Sequence, residues 1–125
     1  MDDSANFRNH LAFMLNETGH VMVAGTAESL ASAIRLVDQE SPELVFLDVL
    51  FEQGTGIEVL EHLRSTSRST HVAVMTIAPS PQLEKFCYAM GADWFVDKAN
   101  SFETIVGICE EIAQTKLHAA GCNTN

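Results

Sequence analysis

Hydrophobic positions along the chain follow two alternating periods. Phe7, Leu11, Met14 and Leu15 recur at helical spacing, so residues 4–18 are predicted as an amphipathic helix capped by Ser4 and ended by Gly19. Val21-Met22-Val23-Ala24-Gly25 is a short apolar run with β-branched residues and predicts a strand. Leu30, Ile34 and Val37 mark a second helix from about Glu28 to Glu40, closed by Ser41-Pro42. The continuous run Leu44-Val45-Phe46-Leu47 has the composition of a strand buried on both faces.

Asp48 comes next, followed by a loop containing Gly54 and Gly56. Ile57, Leu60 and Leu63 give a third helix, and Val72-Ala73-Val74-Met75 another buried strand. A Pro79-Ser80-Pro81 turn leads into a helix through Leu83, Phe86, Cys87 and Met90 that stops at Gly91. Trp94-Phe95-Val96 is the final strand. Ile105, Ile108, Cys109 and Ile112 lie on a last helix reaching about His118. The order α-β-α-β-α-β-α-β-α with buried-type strands implies a parallel sheet covered by helices on both faces. Residues 1–120 are expected to form one domain and residues 121–125 a flexible tail.

Composition narrows the function. Seven Lys+Arg against 17 Asp+Glu give a formal net charge of −10 over 125 residues, with 46 % hydrophobic residues. A folded surface this negative repels phosphate backbones and anionic membranes, so neither direct nucleic-acid binding nor membrane binding is expected. No run approaches the ~18 apolar residues of a membrane span, and Met1-Asp2-Asp3-Ser4 has no signal-peptide character. Cys87, Cys109 and Cys122 fit no metal spacing or disulfide framework, so a reducing, cytoplasmic setting is expected, with Cys87 and Cys109 as buried thiols. The five histidines are scattered and read as solvated or structural.

In open α/β sheets, ligand sites lie beyond the carboxyl ends of the strands. Asp48 and Thr76 sit at such ends, and Lys98 follows the last strand. Asp2 and Asp3 stand where the end of a preceding strand belongs, yet only Met1 precedes them. Carboxylates gathered at one rim repel, at about 3 kcal/mol per pair for ~5 Å and an effective dielectric of 20. A divalent cation and a Lys relieve that repulsion. Oxygen ligands favour Mg²⁺, with Mn²⁺ an alternative. A carboxylate beside a metal, an ammonium and a hydroxyl can accept a phosphoryl group.

These residues closely resemble the receiver domain of bacterial two-component response regulators, the CheY-like superfamily. The resemblance runs from Asp2 to about Ile112. It rests on the acidic pair, on the segment from Asp48 through Gly54-Thr55-Gly56 to Leu60, on Val74-Met75-Thr76, and on Gly91-Ala92-Asp93-Trp94-Phe95-Val96-Asp97-Lys98. It implies a flavodoxin-like doubly wound parallel sheet in the order 2-1-3-4-5, with the first, central strand missing from this chain.

It also implies roles. Asp48 would take a phosphoryl group from a sensor histidine kinase or phosphotransfer protein. Asp2, Asp3, Asp48 and the Leu50 carbonyl would hold Mg²⁺. Lys98 would pair with Asp48, and Thr76 and Phe95 would form the switch. The domain would act as a phosphoacceptor and not as an enzyme on other substrates. Three positions depart from the family pattern: Glu52 replaces a Pro, Ala99 replaces the Pro after the Lys, and Ile77 stands where a small residue is usual and is expected to crowd the phosphoryl site.

Three accounts of the missing first strand are open: a misassigned or clipped start of the sequence, which is the leading one, a sheet that closes by pairing its neighbours directly, or a strand borrowed from a second copy as a homodimer. A non-phosphorylatable pseudo-receiver serving as an interaction or dimerisation module is the alternative function. A haloacid-dehalogenase phosphatase would need a second acid at Leu50, and a flavodoxin-like flavin site would not place Asp2-Asp3 against a phosphate.

Overall fold

The computed structural model describes residues 1, 4–51, 54–66, 69–100 and 102–118. Five helices are described: α1 (Ala5–Thr18), α2 (Leu30–Glu40), α3 (Ile57–Thr66), α4 (Pro81–Ala89) and α5 (Phe102–His118). The strands are β1 (Leu44–Asp48), β2 (Leu50–Phe51), β3 (Gly54–Thr55), β4 (His71–Thr76) and β5 (Trp94–Asp97). The main sheet is parallel, in the order β1-β4-β5, while β2 and β3 make a small antiparallel pair.

Local chemistry sets the helix ends. The Ser4 Oγ accepts from the Phe7 N–H, and Gly19 closes α1 at φ 72°. Ser29 and Ser32 cap α2 reciprocally. Ser80 caps α4, and Pro81 occupies the first turn, where no amide hydrogen is needed.

The strands' period of two divides the core into two layers. Val45, Leu47, Val72 and Val74 point to one face, packed under α2, α3 and α4. Phe46, Ala73, Met75 and Val96 point to the other, under α1 and α5. Helices therefore cover both faces of the parallel sheet. Each fully buried Leu or Val side chain contributes about 1.5–3 kcal/mol. Cys87 and Cys109 are buried thiols within these layers. Cys122 and the tail 121–125 lie outside the described residues.

The sheet's first edge departs from the sequence expectation. Val21–Gly25 forms no strand. Its side chains still alternate, with Val21 and Val23 packed on the α1–α5 layer and Met22 exposed, but its backbone has no ladder partner among the described residues. The sheet therefore has not closed by pairing this segment directly with β1. A strand's ladder needs a neighbour about 4.8 Å away, and among the described residues no strand stands between the two.

One rung of that strand is in place. The Met1 ammonium donates to the Phe46 carbonyl oxygen at 2.8 Å, and the Asp48 N–H donates to the Met1 carbonyl oxygen at 2.9 Å. This is the two-bond pattern of parallel pairing opposite Leu47.

Candidate functional site

β1 delivers Asp48 to the carboxyl rim of the sheet, level with Met75 of β4. Thr76 ends β4 one residue further on, opposite Asp97 at the end of β5. The Asp97 side chain accepts from the Ala99 N–H at 2.9 Å, turning the chain into a short 3₁₀ helix that starts at Lys98. That turn brings Lys98 back over the rim. Its Nζ donates to Asp48 Oδ2 at 3.1 Å across 50 residues of sequence.

The pair is largely shielded from water, with side-chain exposures of 8 % for Asp48 and 14 % for Lys98. A carboxylate desolvated this far is costly unless compensated by charge, and Lys98 supplies it. The structure thus brings Asp48, Thr76 and Lys98 to one rim. Thr76 is fully buried. Its Oγ1 accepts from the Ala78 N–H at 3.1 Å, and its own O–H has no acceptor among the described residues.

Two further contributors shape the rim. The Phe7 ring of α1 lies under the Lys98 ammonium, 4.3 Å from ring centroid to Nζ. A cation over an aromatic face is attracted by the ring quadrupole, so α1 helps aim Lys98. Gly56 is the second. A β-carbon there would lie 2.1 Å from the Asp48 carbonyl oxygen, so only glycine allows the backbone after the acidic residue to fold back this closely. Its N–H donates to the Val49 carbonyl oxygen at 2.6 Å, closing the loop.

Behind the rim, Arg64 ties three segments together. Its guanidinium donates to the carbonyl oxygens of Gly91 and Thr70 at 2.7–2.9 Å and to Asp93 Oδ2 at 3.2 Å. The same Asp93 oxygen accepts from the Val72 N–H at 2.8 Å. Periodicity alone did not mark Arg64, because its partners are backbone carbonyls supplied by the tertiary fold.

Phe95 is half-buried against the α2–α4 layer. Trp94 is half-buried on the opposite layer and tilts against His71, with ring centroids 5.8 Å apart. Ile77 is 75 % exposed, so it stands in solvent and not against Asp48; the crowding expected of it is not seen. Asp2, Asp3 and Glu52 lie outside the described residues. Leu50 is described through its backbone, paired with Thr55 in the β2–β3 hairpin just past Asp48.

Residues 1–110 match the family model of the response regulator receiver domain. The chain belongs to that family, whose signalling role is two-component phosphoacceptance. It is 27 % identical over 108 residues to the phosphate regulon transcriptional regulatory protein PhoB of Escherichia coli, covering 85 % of this chain and 46 % of PhoB. It is 40 % identical over 60 residues to an uncharacterized response regulatory protein of Vibrio parahaemolyticus, covering 48 % of this chain and 25 % of that protein. The chain thus spans about half the length, or less, of such curated relatives.

Among solved structures it superposes on the signal receiver domain of NarL from Mycobacterium tuberculosis with a TM-score of 0.82 at 26 % identity, covering 90 % of this chain and 91 % of that one. It superposes on chemotaxis protein CheY4 of Vibrio cholerae with a TM-score of 0.79 at 23 % identity, covering 89 % and 92 %. Among the described residues, no helix is long and apolar enough to cross a membrane.

Proposed function

We propose that Asp48 is the phosphoacceptor and that Lys98 and Thr76 are its partners in the reaction. The observation that carries this reading is the shielded 3.1 Å pair between Asp48 and Lys98 at the carboxyl rim, with the Thr76 hydroxyl on the adjacent strand end. A carboxylate oxygen of Asp48 attacks the phosphorus of a phosphohistidine on a histidine kinase or phosphotransfer protein. A new O–P bond forms, the P–N bond breaks, and the histidine nitrogen keeps the electron pair. Lys98 holds the carboxylate in place beforehand and then pairs with the phosphoryl oxygens. The Thr76 O–H donates to one of them, and Phe95 follows on the neighbouring strand as the switch residue.

The donor set suits Mg²⁺. Asp48 and the Leu50 carbonyl supply hard oxygens at the rim, and Asp2 and Asp3 follow Met1, which is hydrogen-bonded to Asp48. These four residues would hold the ion, which when bound neutralises negative charge on the transferring group. The pseudo-receiver alternative is not favoured, since it leaves the shielded acid–lysine pair without a task.

The test is intact-mass measurement after incubation with acetyl phosphate and Mg²⁺. Wild type gains one phosphoryl group, and Asp48→Asn gains none. A wild type that stays unmodified at saturating donor overturns the proposal.

A further inference from the structure

The outer face of α1 and α5 is not used by the phosphoacceptor site. A groove runs between the two helices, lined by His10, Phe13 and Glu17 of α1 and by Phe102, Val106 and Glu110 of α5. Its void, open mouth included, is about 780 Å³. Phe13 is 65 % exposed and Phe102 61 %, so two aromatic rings stand in water beside it. Single exposed apolar residues are ordinary, whereas aromatics grouped at a groove with a polar rim mark an interaction face.

The pattern on α1 shows what fits there. His10, Phe13 and Glu17 are all exposed and fall on one stripe of the helix, at i, i+3 and i+7. A base stands at one end, an acid at the other and an aromatic ring between them. His10 and Glu17 are about 10 Å apart along the axis, too far to pair with each other, and neither has an ion pair among the described residues. The midpoint of their positions falls between Phe13 and Met14. Laid antiparallel on a copy of itself, the stripe therefore sets Phe13 against Phe13 and His10 opposite Glu17 at both ends. Charge favours the same face. Two copies at a net charge of −10 repel, yet of the chain's 17 acids the groove lining holds two, Glu17 and Glu110, beside His10 and His20.

We propose that the α1–α5 face is a self-association surface, on which two copies pack about a twofold axis with their α1 helices antiparallel. Each Phe13 ring seats against the other copy's groove, and each His10 hydrogen-bonds the other copy's Glu17. An isologous contact of this kind requires a surface complementary to itself, which the alternation about Phe13 provides. A helix of an unrelated partner would need only the apolar positions; the equal spacing of base and acid about the ring serves a twofold. The imidazole has an N–H to donate to the carboxylate in either charge state. A face two helices wide and about 20 Å long buries less than about 1,200 Å² in all, the range of weak and transient pairs. The dimer therefore forms in the upper micromolar range.

The proposal is independent of phosphoryl transfer and is tested on the unmodified full chain. Sedimentation equilibrium is run from ten micromolar to one millimolar protein at about 0.3 M NaCl, which screens the net repulsion. The wild-type mass should rise from monomer toward dimer across that range. Phe13→Ser changes an exposed position outside the core and should weaken association at least tenfold, while Phe86→Ser, on the exposed face of α4, should leave it unchanged. His10→Glu and Glu17→Arg should each weaken it at least threefold, and the double variant should return to within twofold of wild type. A chain still monomeric at one millimolar overturns the second copy as occupant. A dimer lost in Phe86→Ser and kept in Phe13→Ser places the contact on α4 and overturns this face. A double variant no tighter than the single ones overturns the antiparallel pairing.

Discussion

The two edges of β1 contain the same residues and meet different fates. Toward β4, every rung from Leu44 to Asp48 is paired, and the buried side chains of both strands interlock. Toward Val21–Gly25, one rung is filled by Met1, and the segment beyond lies beside a cleft, with no ladder among the described residues. Both flanks are apolar and β-branched. The difference shows that strand-forming sequence is necessary for a ladder and not sufficient, because half of every ladder belongs to the neighbour. It also shows that the acid-bearing end of β1 is held from both sides, by β4 and by Met1, whereas its start is held from one.

The largest test of this contrast is a pair of truncations. Leu47→Ala removes a side chain that is 1 % exposed and should cost about 2–5 kcal/mol. Met22→Ala, at 63 % exposure on the unladdered flank, should change stability by less than about 0.5 kcal/mol in the same urea titration. Comparable losses would mean that the open flank is as tightly packed as the paired one.

Next is the Arg64 clamp. Arg64→Ala leaves the Gly91 and Thr70 carbonyls without this donor and should cost about 2–3 kcal/mol in urea unfolding. Lys at the same position should restore only part of the loss, since one ammonium cannot span the fork.

Cys109 offers a pH test of the α1–α5 layer. Burial, and then the nearby Glu110 charge, push its thiol up to about 11 from the ordinary 9.0. A thiol held protonated in the fold stabilises it fully below pH 9, and that contribution is lost as pH rises through 11. Urea midpoints should therefore fall between pH 9 and 11, by the equivalent of roughly 2 kcal/mol, and fall less in Cys109→Ala. The same burial should keep Cys109 unreactive to alkylating reagents at neutral pH.

The smallest expected effect is at Phe7. Phe7→Leu keeps an apolar side chain and removes the ring beneath Lys98, costing about 0.5–1 kcal/mol. It should slow phosphoryl uptake from acetyl phosphate severalfold while leaving the final extent unchanged. A rate equal to wild type would mean that the 3₁₀ turn alone aims Lys98.

Much of this molecule was legible in the sequence. Helical periods located the five helices, and continuous apolar runs located the three strands of the main sheet, because side-chain burial follows backbone geometry. Asp48, Thr76 and Lys98 were legible because strand ends and the residues just after them are local positions. The β2–β3 hairpin was read only as a loop, since two-residue strands leave no periodic trace. The strand expected at Val21–Gly25 did not form, although its alternation of inward and outward side chains survives.

By itself, then, the sequence determined which segments are helical, which are strand-prone, and which acid, hydroxyl and lysine fall at the rim. These depend on residues adjacent in the chain. Only the tertiary structure decided that Phe7 supports Lys98, that Arg64 binds carbonyls contributed by distant loops, that Gly56 passes against the Asp48 backbone, and that Val21–Gly25 has no ladder partner among the described residues. Each of those depends on atoms remote in sequence, and a hydrogen bond or ring contact exists only once both partners have been brought to the same place.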